Sequence, residues 1–146
     1  MYQIRINGTL QLPSSTTISS DWVRVVLVLD KQANGAVPAV SDIFEATAAG
    51  TTNIYAYQNM DNVDRFKIIK DKRKQLMPTG FGIVGTSSAQ TLTFFKMNHK
   101  CTDQEIVFSS TTGALTEVRS NNYIVVVFSS NNAVVFTGKS RVYWKE

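Results

Sequence analysis

The chain has one cysteine, Cys101, one histidine, His99, and three prolines among 146 residues. A single thiol cannot close an internal disulfide, so no disulfide framework holds the fold. A single imidazole argues against histidine-based catalysis and against a multi-histidine metal site. Apolar runs such as Val125-Val126-Val127-Phe128 fall far short of the roughly 18 to 20 residues that a membrane-spanning helix needs. The opening MYQIRINGT alternates polar with apolar residues and lacks the continuous apolar core of a signal peptide. No Gly-rich phosphate loop, GxSxG or HExxH occurs. The carboxylates are scattered. Asp61 and Asp64, the nearest to a pair, sit in a loop that feeds a strand, where they serve turns or leave room for calcium at a subunit boundary. His99 and Cys101, two apart at a strand end, lack the further ligands a metal would need, and their spacing does not suit a nucleophile pair. The sequon Asn7-Gly8-Thr9 has little force without other marks of secretion. The chain reads as non-enzymatic and without a cofactor.

What the chain has in excess is β-branched side chains: 16 Val, 10 Ile and 15 Thr against 7 Leu. These are stiff at χ1 and pack well on a pleated surface, and no segment carries a convincing helical period. The fold class is therefore all-β. Strands are placed by their period of two at 2–12, 22–30, 64–76, 91–100, 104–108, 122–129 and 133–144, with a short one near 115–119. In the first, Tyr2, Ile4, Ile6, Leu10 and Leu12 share one face, and Gln3, Arg5, Asn7, Thr9 and Gln11 the other. In the second, Val23, Val25, Leu27 and Leu29 oppose a mixed face of Trp22, Arg24, Val26, Val28 and Asp30, which suits a central strand. Turn chemistry separates the strands at Pro13-Ser14-Ser15, Asn34-Gly35, Pro78-Thr79-Gly80, Gly113 and Asn131-Asn132, the last pair reading as a tight hairpin. Residues 31–63 form a connection too long for a hairpin, and Ser41-Asp42-Ile43-Phe44-Glu45 within it suits one capped helical turn.

Charge is unevenly spread along the sequence. Of the net +4, residues 65–74 (RFKIIKDKRK) contribute six basic residues and one acid, so the other 136 residues sum to −1. Two readings compete: a solvated edge strand guarded by lysines, and a phosphate-facing patch formed by Arg65, Lys67, Lys70, Lys72, Arg73 and Lys74. The concentration of the charge favours nucleic acid. The segment also fits the permissive pattern of a nuclear-localisation patch.

Two blocks carry a family resemblance. Arg24-Val25-Val26-Leu27-Val28-Leu29-Asp30-Lys31-Gln32-Ala33-Asn34-Gly35-Ala36, with Ser41-Asp42-Ile43-Phe44 after it, and Asn59-Met60-Asp61-Asn62-Val63-Asp64-Arg65-Phe66-Lys67-Ile68-Ile69-Lys70-Asp71-Lys72 are the two. Together they resemble the coat proteins of small circular single-stranded DNA viruses that encode a replication initiator. More loosely, they are similar to geminivirus coats and to satellite plant-virus coats that package RNA. The resemblance covers roughly residues 22–76. It implies an eight-stranded antiparallel jelly-roll sandwich, two four-stranded sheets with a long C–D loop over residues 31–63. It implies one domain over residues 1–146 that closes into a small icosahedral shell of about sixty copies around a single-stranded DNA or RNA genome. It implies a virion component that passes through the host nucleus. The basic arm that family members carry is expected to be absent, since the chain opens at Met1 on a strand. Trp22, Asp42, Phe44, Tyr55, Tyr57, Tyr143 and Trp144 are the expected subunit-interface residues, amphipathic rings being common interface anchors. The other reading of the same features is a jelly-roll module that binds carbohydrate through Tyr55 and Tyr57.

Overall fold

The computed structural model describes residues 2–12, 20–46, 53–77, 92–101, 105–112, 114–130 and 134–144. In chain order the elements are β1 (Tyr2–Gln11), β2 (Asp21–Asp30), a single helical turn α1 (Val40–Ile43), a 3-10 turn (Met60–Asn62), β3 (Phe66–Leu76), β4 (Leu92–Cys101) and β5 (Val107–Phe108). A second 3-10 turn (Leu115–Glu117), β6 (Val118–Ser120), β7 (Asn122–Ser129) and β8 (Val135–Trp144) complete the series. The class is all-β with antiparallel sheets. The expected strands are present, yet among the described residues they form sheets of three, three and two strands: β4-β1-β8, β3-β2-β7 and β5-β6. The short strand expected at 115–119 begins only at Val118, because the residues before it wind into the 3-10 turn. The turns expected at 13–15, 78–80, 113 and 131–132 lie outside the described residues.

The chain divides into two compact units, each assembled from separated stretches: Met1–Arg24, Lys72–Thr102 and Val127–Glu146 in the first, Val25–Asp71 and Asp103–Val126 in the second. In the first unit β1 is the middle strand. It pairs along its whole length with β4, from Tyr2 opposite Cys101 to Gln11 opposite Leu92, and with β8, from Tyr2 opposite Trp144 to Gln11 opposite Val135. The alternation of β1 holds: Tyr2, Ile4, Ile6 and Leu10 are buried, with Leu12 just beyond, while Arg5 and Asn7 lie on the wetter face. Phe95, Met97 and Cys101 of β4 continue the buried face. Gly8 interrupts the apolar series of β1, and it sits opposite Gly138 of β8. The ring of Phe136 fills the gap: a Cβ on Gly8 would lie 2.8 Å from it and one on Gly138 2.7 Å from it. That ring meets Phe95 edge-on at 6.4 Å, so one aromatic side chain supplies the packing that two glycines withhold.

In the second unit the long connection makes a core of its own. Asp42 accepts the Ala39 N–H at 3.0 Å and so caps α1. The chain then doubles back: Phe44 bridges Gln58, Glu45 N–H donates to the Tyr57 carbonyl and Asn59 N–H to the Ile43 carbonyl, both at 2.9 Å. Ile43, Phe44 and Ile54 are buried as a result, together with Phe66 and the Val25–Leu29 run of β2. Gly35 takes φ +82°, and a Cβ there would stand 2.6 Å from the Thr116 carbonyl, so glycine is required on both counts. Asn121, the described non-glycine residue with positive φ, separates β6 from β7 and donates its side-chain amide to the Glu105 carbonyl at 2.7 Å.

Candidate nucleic-acid interface

β3 is an edge strand of its described sheet. Phe66 and Leu76 are buried at its two ends, and the residues from Lys70 to Lys74 are all exposed. Its backbone start is fixed by Lys31 N–H donating to the Arg65 carbonyl at 2.9 Å and by the Gln58 amide donating to the Phe66 carbonyl at 2.7 Å. The six basic residues expected to act together do not have equal freedom. Arg65 is half-buried, and its Nε and Nη2 reach the two carboxylate oxygens of buried Asp30 at 3.0 and 2.9 Å. The hydrogen bonds to Asp30 raise its pKa above the ordinary guanidinium value, against the opposing effect of burial. Its guanidinium also lies 4.7 Å from the centre of the Phe66 ring. Arg65 therefore neutralises a core carboxylate. Lys72 donates to the Lys96 carbonyl at 2.9 Å and lies 5.8 Å from the centre of the Phe95 ring. Lys67, Lys70, Arg73 and Lys74 are exposed as well.

A second cationic surface, unforeseen in the sequence, appears once the register of β4-β1-β8 is drawn. Side chains of odd-numbered β1 residues share the wetter face, and each names its neighbours on both sides. Gln3 stands between Lys100 and Tyr143, Arg5 between Asn98 and Arg141, Asn7 between Lys96 and Lys139, and Thr9 between Phe94 and Thr137. All five basic residues of the three strands thus fall on one face. The same strands contain no Asp or Glu. Among the described residues none of the five forms an ion pair. Arg5 and Arg141 lie 4.9 and 5.9 Å from the centre of the Tyr143 ring, and Arg5 Nε is buried without an acceptor. Phe94 is 79% exposed in the midst of this charge. The face carries an open groove of ≈ 850 Å³, lined by Arg5, Asn7, Phe94, Lys96, Lys139 and Arg141 among others.

This surface escapes a linear charge count because Arg5, Lys96 and Lys139 are far apart in the chain. The signal that finds it is the absence of acids from all three strands, combined with their phase. In LTFFKMNHKC and VFTGKSRVYW the basic residues are spaced by two or four, so each strand presents them on one side.

The expected interface residues divide. Tyr55 and Tyr57 are strongly exposed, and Trp22 is exposed beside Ser130, whose N–H donates to its carbonyl at 2.9 Å. Phe44 is fully buried in the second unit, and so offers no surface; the doubling back of the 31–63 connection encloses it. Asp42 is spent on capping α1. Tyr143 belongs to the cationic face, and Trp144 ends β8 opposite Tyr2, its side chain lying outside the described residues. Asp61 and Asp64 are exposed, and Cys101 is buried. Among the described residues no three His, Cys, Asp or Glu side chains gather as metal ligands. No protein-family model matches the chain, and no curated protein is significantly similar to it.

Proposed function

We propose that the chain is a non-enzymatic coat protein that assembles into a small closed shell and packages a single-stranded nucleic acid. The observation that carries this reading is the acid-free cationic face of β4-β1-β8, which supplies a sequence-independent hold on phosphates. The strand pairing supports the jelly-roll frame: first with last, β1·β8, and second with second-last, β2·β7, as in a rolled-up hairpin. Assembly draws support from the apolar groups left exposed on the long connection, namely Val37, Tyr55, Tyr57 and Met60, which a second copy would cover.

The test is light scattering and negative-stain microscopy of the purified chain, with the absorbance ratio of 260 to 280 nm as the measure of bound nucleic acid. Discrete particles with a raised ratio are the expected result. A strict monomer at neutral pH and moderate salt overturns the proposal, and retention on glycan that is lost in Tyr55→Ala or Tyr57→Ala points instead to a carbohydrate-binding module.

A further inference from the structure

We infer that single-stranded nucleic acid lies across the groove of β4-β1-β8, its phosphates on the Arg5–Arg141 and Lys96–Lys139 rows and a base stacked on Phe94. The inference deepens the reading above and rests on it for the identity of the polyanion.

The two cationic rows are two residues apart on β1, a separation of ~6.8 Å, comparable with the step between phosphates on an extended strand. Tyr143 steadies both guanidiniums through their π faces, which leaves N–H edges for phosphate oxygens. Lys96 and Lys139 are flexible point charges on either side of Asn7, a side chain able both to donate and to accept. Phe94 decides between ligands. An apolar ring that contributes nothing to the core and stands 79% exposed among cations is matched by a splayed base, whose π face a duplex would hide. A second copy of the same face is excluded as the occupant, since five cations would meet five more with no acid on the strands between them.

The experiment titrates the full chain with a labelled oligothymidylate by fluorescence anisotropy over a series of salt concentrations. Each lost phosphate contact to a single strand lowers the log–log salt slope by ~0.7, so Lys96→Gln with Lys139→Gln is expected to lower it by about 1.4. Phe94→Ala is expected to weaken binding about tenfold with little effect on the slope. Lys67→Gln with Lys70→Gln on β3 is expected to leave the slope unchanged. The inference is overturned if the chain does not bind the oligonucleotide, or if the β3 pair flattens the slope and the face pair does not. It is equally overturned if heparin binds as tightly as the oligonucleotide while Phe94→Ala changes nothing, for the face is then a surface for any polyanion. Oligonucleotide binding that follows the face variants, in a chain that forms no particles, supports the inference and removes the coat reading alone.

Discussion

The two cationic regions differ in how they are made. The segment over residues 65–74 is dense in sequence, with six basic residues in ten, but its members have separate duties. Arg65 neutralises Asp30, and Lys72 closes on the Lys96 carbonyl. The face of β4-β1-β8 is sparse in sequence, with five basic residues over three strands, yet none of them has a carboxylate partner among the described residues. Charge density along a chain therefore misjudges charge available to a ligand. What matters is which cations remain after the fold has used its share, and which register gathers them.

The contrast can be broken at several points. The largest effect is expected at Arg65→Ala, which leaves a buried carboxylate without its partner and should cost at least about 3 kcal/mol in urea unfolding, while Lys70→Ala should stay within about 0.5 kcal/mol of the parent. Equal midpoints for the two variants would erase the distinction between structural and available cations. Because the pair with Asp30 raises the Arg65 pKa, its contribution is fully present below the ordinary guanidinium value and is lost only as pH climbs through the raised one. The difference between parent and Arg65→Ala should accordingly be flat from neutral to mildly alkaline pH.

Next in size is Gly8→Ala, whose Cβ would stand 2.8 Å from both the Phe136 ring and the Thr137 carbonyl. It is expected to cost about 1–3 kcal/mol by overpacking, with no change in the salt slope of oligonucleotide binding, since no charge moves. A changed slope would mean that the face depends on more than its cations. Phe94→Ala should change the unfolding midpoint by no more than about 0.5 kcal/mol despite its effect on binding, because the ring is exposed. The smallest change expected is Lys72→Ala, about 0.5 kcal/mol or less, for loss of one exposed hydrogen bond to a β4 carbonyl.

Much of the frame was legible because it depends on short-range pattern. The period of two in β1 assigned its buried face residue by residue, and the mixed second face of β2 announced a strand with neighbours on both sides. The helical turn near Asp42 followed from its capping chemistry. The failures share another cause: each needed a contact between distant residues. Asp30 stands 35 positions before Arg65, so nothing local reveals their pairing. Phe44 looks like a loop aromatic until the chain doubles back at Gln58 and buries it. The cationic face required the register of three strands that lie at both ends and the middle of the chain. Gly8 looked like a flaw in an apolar series, and only the fold shows Phe136 occupying the gap.

The bidentate tie between Arg65 and Asp30 also sets how this surface would change over evolutionary time. Position 65 cannot drift alone: losing the arginine strands a buried acid, so the two positions should be replaced together or retained together across related chains. The face of β4-β1-β8 has no such lock. A lysine lost at 96 is made good by one gained at any neighbouring site on the same face, so what persists there is a sum rather than a set of addresses.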